Sequence, residues 1–261
     1  MCNKTGILAV SFGTTHSDTR ARTIQAIEQT IRESYPTLPF FRAWTSGMIR
    51  RKLERTTGER ILSVAEAFAQ MAEEGITHAI LQPTHIIDGI ENQQMLKDAE
   101  AFTGLFQSIA FGRPLLSNRE DLLKMVRIIA SSFPELGREE SLLLMGHGSS
   151  HPANQIYAQL DTCFHENGFP NIHVATVEAS PTLEDVLLNN LKESRPRLVH
   201  LAPLMIVAGD HAVNDMAGEG AGSWKNILKK AGYPVTCHMK GLGEYPAVRQ
   251  MFLEHLDEAL S

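Results

Sequence analysis

Cysteine is scarce in this chain. Cys2, Cys163 and Cys237 are scattered through 261 residues with no Cys-x-x-Cys pair, which removes zinc ribbons and dithiol redox motifs. The same count is too low for a four-cysteine iron–sulfur cluster. No apolar run approaches the roughly 18–20 residues of a membrane span, so no membrane partner is expected. Basic charge is in deficit as well: the formal charge of −6 opposes the basic face that nucleic acid demands. The Gly-x-Ser-x-Gly elbow of serine hydrolases does not occur. The turn Ser11-Phe-Gly-Thr-Thr15 has neither the Gly-x-Gly-x-x-Gly spacing nor the Walker lysine of a phosphate cradle. The residues ahead of the first apolar run lack the core of a signal peptide, and a cytoplasmic location is the expectation.

What is present is an ordinary globular composition, 43% apolar and 21% charged, with eleven histidines, several at the ends of apolar runs. The clearest case is Leu142-Leu-Leu-Met-Gly-His-Gly-Ser-Ser-His151. A short apolar run ending in glycines predicts a buried parallel strand opening into a loop, and open α/β sheets bind ligands just beyond the carboxyl ends of such strands. Strands are expected at 6–11, 40–44, 78–82, 107–111, 142–146, 172–177, 198–202 and 235–238. Helices are expected at 19–34 (with Asp18 as its cap), 48–55, 63–74, 92–104, 118–132, after Pro152, and at 182–193, 223–231 and 246–260. This alternation predicts α/β architecture with parallel sheets flanked by helices. The expected division is an N-terminal lobe over 1–134 and a C-terminal lobe over 135–261.

The two lobes read as copies. Ile7–His16 lies over Leu142–His151, setting Phe12 opposite His147, and Pro83–Glu91 lies over Pro203–His211, setting His85 opposite Met205 and Glu91 opposite His211. Trp44-Thr45 falls near Val177-Glu178. Two Rossmann-like lobes related by this duplication are expected to present their strand ends to a cleft, a favoured place for a small-ligand site.

His147, Glu178 and His211 all fall at strand carboxyl ends of the second half. Two imidazoles and a carboxylate with open positions suit a divalent transition metal. A carboxylate ending an apolar strand also calls for a proton, a cation or hydrogen-bond donors. The competing reading of each histidine alone is a hydrogen-bonding loop residue. His16 and His151 sit near helix starts and are expected to cap or to lie at the surface, and His78 and His200 to be structural. His165, His173, His238 and His255 show no pattern. The cluster Arg42, Arg50, Arg51, Lys52 and Arg55 is either a solvated helix face or a cationic flank for an anionic ligand.

Val10-Ser-Phe-Gly-Thr14, Phe41-Arg-Ala-Trp-Thr-Ser-Gly-Met-Ile49, His85-Ile-Ile-Asp-Gly-Ile-Glu91, Met145-Gly-His-Gly148, Val177-Glu178 and Pro203-Leu-Met-Ile-Val-Ala-Gly-Asp-His-Ala-Val-Asn-Asp-Met216 follow one another across almost the whole chain. Together they resemble the sirohydrochlorin cobaltochelatases of the anaerobic pathway, class II chelatases with a ferrochelatase-like fold. The resemblance implies ATP-independent insertion of Co²⁺, as substrate metal, into sirohydrochlorin or precorrin-2 during cobalamin synthesis. It implies His147 and Glu91 as catalytic residues and His147, Glu178 and His211 as metal ligands. Ser11, Phe12, Gly13, Thr14, His85, Leu204 and Met205 are the expected substrate contacts, and Arg42, Arg50 and Arg51 candidate anchors for the macrocycle's carboxylates. Haem, which some relatives bind, is not expected here, and a homo-oligomer is compatible with the family. The alternatives are a ferro- or nickel-chelatase acting on the same tetrapyrrole, and a non-catalytic tetrapyrrole or metal carrier.

Overall fold

Eight short strands among the described residues, 3–261 of a computed structural model, make two parallel sheets. The first contains β1 (Thr5–Ser11), β2 (Phe40–Trp44), β3 (His78–Pro83) and β4 (Ser108–Phe111), in the order β2-β1-β3-β4. The second contains β5 (Glu140–Gly146), β6 (Ile172–Thr176), β7 (Leu198–Pro203) and β8 (Val235–Cys237), in the order β6-β5-β7-β8. β1 and β5 are central in their sheets, and both are buried almost end to end. That is why they read as continuous apolar runs rather than alternating ones. In the first sheet Leu8, Val10, Ala79 and Leu81 pack against Phe68, Met71 and Met95 of the covering helices. Leu143, Met145, Val199 and Leu201 meet Val186, Met216, Trp224 and Leu228 in the second.

The duplication extends to single backbone bonds. Val10 pairs with Pro83 in one sheet and Met145 with Pro203 in the other. Thr84 N donates to Val10 O at 2.8 Å, as Leu204 N donates to Met145 O at 2.7 Å. The structure corrects the second-strand match by one residue. Ser46 N donates to Phe12 O at 3.2 Å and Glu178 N to His147 O at 2.9 Å. The counterpart of Glu178 is therefore Ser46, not Thr45.

The compact units fall differently from the division expected at 134/135. One comprises the residues up to Ser117 together with Gly243–Ser261, and the other Asn118–Leu242. The cause is where two helices bury their apolar faces. Helix Arg119–Ser132, started by an Asn118/Asp121 capping box, packs on helix Gln155–Glu166. Helix Pro246–Leu260 packs on helix Ile24–Ser34 and on β3 and β4, with Arg113 Nε and Nη2 each 2.8 Å from a Glu258 carboxylate oxygen.

The helix expected over 19–34 is also broken in two, into Ser17–Arg22 and Ile24–Ser34, and Asp18 lies inside the first piece instead of capping it. Thr23 at the break is fully buried, and a Cβ on Gly243 would stand 2.9 Å from its Cα. Chain from the far end of the sequence presses on this point, which local spacing cannot foretell.

Candidate metal centre

His147 is held at the tip of β5 by its two glycine neighbours. A Cβ on Gly146 would meet the Tyr157 ring at 2.6 Å. Gly148 has φ +87°, and a Cβ there would stand 2.8 Å from Thr176 Oγ1 and 2.9 Å from Ala179 N. The left-handed turn and the close approach together require glycine. The Gly148 N–H donates to the Tyr157 hydroxyl, whose ionisation burial pushes up to about 12. Ser149 N donates to Asn154 Oδ1 at 2.9 Å, and Asn154 Nδ2 donates to Ser180 O at 2.6 Å, tying this loop to the one after β6. That second loop is closed by Thr176 N donating to Pro181 O at 2.7 Å and by Thr176 Oγ1 donating to Ala179 O at 2.5 Å. Glu178 is thus fixed beside His147.

His211 opens a π-helical turn, His211–Met216, beyond β7. Such turns interrupt regular helices chiefly at functional positions. The rings of His147 and His211 meet edge to face, with centroids 4.6 Å apart. One ligand atom from each of His147, Glu178 and His211 lies within 4.8 Å of the others.

Tautomers follow from the partners. His147 Nδ1 lies 2.9 Å from Gly148 O, which only accepts, so Nδ1 carries the hydrogen and Nε2 keeps the lone pair. His211 Nδ1 lies 2.6 Å from Asp215 Oδ2, with the same consequence. Two Nε2 lone pairs are left to bind an ion, and the Glu178 carboxylate, whose Oε2 stands 3.7 Å from His147 Nδ1, joins them by turning towards Nε2. The Asp215–His211 contact is the carboxylate–histidine pairing that orients metal-binding imidazoles. Sequence reading missed Asp215, although its position four residues after His211 on a helical turn was a usable signal. The side chains of His147, Glu178 and His211 are 48%, 56% and 34% exposed. An ion here stays in reach of solvent and can be taken up and given away, unlike one in a closed structural site. No thiolate takes part: Cys163 and Cys237 belong to neither potential metal group among the described residues, and Cys2 lies outside them.

The equivalent strand ends of the first unit carry other chemistry. Phe12 is 44% exposed, an unusual position for a phenyl ring. Gly13 repeats Gly148 with φ +103° and Trp44 packed where a Cβ would be. Glu91 is exposed in the first turn of helix Ile90–Glu100, where its charge complements the helix N-terminus. His85 is buried. Its Nδ1 lies 3.4 Å from Asn92 Oδ1, Asn92 in turn donates to Asp88 at 2.7 Å, and its Nε2 has no partner. Burial pulls its proton affinity down to about 4, only partly countered by Asn92, so the ring is neutral.

Several expected substrate contacts are turned inward. Ser11 Oγ is buried and accepts from Thr84 Oγ1 at 2.8 Å. Thr14 is buried and accepts from His16 N at 3.2 Å. Leu204 is wholly buried, and Met205 is part of the core. These residues shape the strand ends and present little side chain, whereas Phe12 faces out beside the half-buried Gly13. The arginines divide too: Arg42 is paired with buried Glu28 and Arg50 with Glu66, while helix Gly47–Thr57 leaves Arg51 exposed. Arg42 balances a core carboxylate and is not a spare anchor. As expected, His151 Nδ1 caps by accepting from Ala153 N at 3.2 Å, and His78 and His200 bond Ser108 and Glu140 within their sheets. His16 takes the cap position of helix Ser17–Arg22 without a side-chain cap bond.

Comparison with known proteins gives the family. The family described as "Cobalt chelatase (CbiK)" matches residues 5–261. The sirohydrochlorin cobaltochelatase of Salmonella typhimurium is 40% identical over 258 residues, covering 99% of this chain and 97% of its own length. Sirohydrochlorin cobaltochelatase CbiKC of Nitratidesulfovibrio vulgaris is 33% identical over 262 residues, covering 99% and 91%. Among solved structures, SirB from Bacillus subtilis with Fe³⁺ shares the fold at a TM-score of 0.68 and 14% identity, covering 98% of this chain and 95% of its own.

Proposed function

Because the chain belongs to the cobalt chelatase (CbiK) family, it is a sirohydrochlorin cobaltochelatase, and we propose that His147, Glu178 and His211 hold the incoming Co²⁺ for insertion. The observation that carries this reading is the convergence of the three ligand atoms within 4.8 Å, with both histidine Nδ1 atoms already committed elsewhere. Nitrogen and carboxylate donors suit Co²⁺ without the grip of thiolates. The partial exposure of all three side chains favours transfer of the ion over its retention.

Insertion replaces two pyrrole N–H protons by one Co²⁺, so two protons leave for solvent. His147 Nε2 first binds the ion and, once the ion passes to the ring nitrogens, its lone pair is free to take a proton. We assign Glu91 as the acceptor of the other proton, and Phe12 as an apolar surface for the macrocycle plane. The backbone N–H groups beyond Gly13 and Gly148, with Arg51, are proposed to meet its carboxylates. No step requires ATP; the lack of any Walker lysine supports this. The reaction is placed in cobalamin synthesis, with sirohydrochlorin or precorrin-2 as the ring.

The test is an anaerobic insertion assay without ATP, following loss of the free-ring spectrum, alongside Co²⁺ titration of the full chain. H147A and H211A should each weaken Co²⁺ binding and slow insertion. Full insertion by both variants would refute the ligand assignment. Competition among Co²⁺, Fe²⁺ and Ni²⁺ then ranks the metals.

A further inference from the structure

Asp161 and His165 lie one helical turn apart on helix Gln155–Glu166, and His173 is the second residue of β6. A ligand atom from each lies within 4.8 Å of the others. The hydrogen-bond partners leave each of the three residues with an acceptor atom uncommitted. His165 Nε2 lies 3.1 Å from Ile172 O, a group that only accepts. Nε2 therefore carries the hydrogen, and Nδ1 has the lone pair. That Nδ1 stands 3.9 Å from Asp161 Oδ2. The other carboxylate oxygen, Oδ1, is occupied by Val174 N at 2.8 Å, so Oδ2 is the free one. His173 is 3% exposed, and its Nδ1 is buried with no hydrogen-bond partner. A buried ring nitrogen without a partner is costly.

A shared proton does not resolve this arrangement, since a charge-assisted N–H···O bond would draw the atoms to about 2.7–2.9 Å. Two tetrahedral ligands that each sit about 2.0–2.1 Å from an ion stand about 3.4 Å apart, so the 3.9 Å separation closes onto an ion with a contraction of about 0.5 Å. We propose that Asp161, His165 and His173 form a second site for a divalent first-row cation, Co²⁺ or Zn²⁺, which staples helix Gln155–Glu166 to β6. Two imidazoles, one carboxylate and an open position for water make a tetrahedral set for such ions. The partial exposure of His165 and Asp161, 32% and 24%, gives the ion a way in.

This site is separate from the one at His147. His173 lies near the amino end of β6, whereas Glu178 follows its carboxyl end. The three strand residues after His173 put about 10 Å of extended chain between them. One ion cannot serve both sets.

Equilibrium dialysis of the full chain against Co²⁺, with absorption in the visible d–d region, tests the assignment. The wild-type chain should bind two equivalents and H147A/H211A one. Adding H165Q or D161N to that background should abolish the remaining equivalent and the rise in Tm that Zn²⁺ produces. D161N keeps an oxygen for the Val174 N–H, so it remains informative if H165Q does not fold. With His147 and His211 intact, H165Q should retain insertion activity. Failure of H147A/H211A to bind any stoichiometric Co²⁺ would overturn the proposal, and so would binding that persists in both D161N and H165Q.

Discussion

β1 and β5 are the same strand built twice, with the same neighbours in the same register. Their endings differ. Phe12 stands where the second unit has His147, Ser46 where it has Glu178, and Glu91 where the notional match is His211. The turn glycines Gly13 and Gly148 are kept in the left-handed conformation, because the backbone path is common to both. What changed are the side chains that the path presents. One frame thus carries an exposed phenyl ring and an acid in one unit and a metal-type ligand set in the other. Because the frames match, exchanging a residue for its counterpart isolates chemistry from architecture.

The largest expected effect comes from H147F, which gives the second unit the ending of the first. Loss of both a metal ligand and a proton acceptor should cut the insertion rate about 10²–10⁴-fold while leaving the far-ultraviolet circular dichroism unchanged. A smaller loss would mean that the two endings differ less in function than in appearance.

Next is the pair His85 and Met205. The neutral, buried His85 takes up a proton at about 4, against 6.5 for an ordinary imidazole. Between these values the unfolded chain binds more protons than the folded one, so this residue's contribution to stability falls as pH drops from about 6.5 towards 4. The contribution at stake is on the order of 3 kcal/mol. H85M, which installs the counterpart, should flatten urea-unfolding stability across that window. An unchanged pH slope would show that His85 titrates normally.

Asp215 has the more modest job of orienting His211. D215N should weaken Co²⁺ affinity by about 10–100-fold and leave the second cation site at Asp161 untouched. Equal loss at both sites would point to unfolding instead. The smallest contrast is Ser46 against Glu178. Ser46 caps helix Gly47–Thr57 through the Ile49 N–H, so S46A should cost about 1 kcal/mol of stability. Exposed E178A should cost almost none and show its effect in Co²⁺ binding. Calorimetric unfolding of the two variants side by side makes the distinction.

Much of this comparison was legible in the sequence. The apolar runs of β1 and β5, the shared proline that ends β3 and β7 and the shared glycine beyond it were enough to place Phe12 over His147 and to group His147, Glu178 and His211. Strand ends are predictable because a parallel strand closes where its apolar run meets glycine. The rest depended on packing between distant segments. The break at Thr23 answers to Gly243, and the unit boundary is decided by which surfaces two amphipathic helices cover. His165 and His173 show no pattern in sequence because a helix and the following strand have different periods, so their facing residues share no common spacing. The inward turn of Ser11, Thr14 and Leu204 has a similar cause: a strand tip alternates faces, and a resemblance between motifs does not say which face a side chain takes.

The central claim is that the second unit's strand ends hold the substrate metal. A crystal structure of the full chain soaked in Co²⁺, with anomalous data at the cobalt edge, tests it most directly. The expected result is a peak bound by Nε2 of His147, Nε2 of His211 and the Glu178 carboxylate. Well-ordered cobalt elsewhere, with no peak at these three residues, would contradict it.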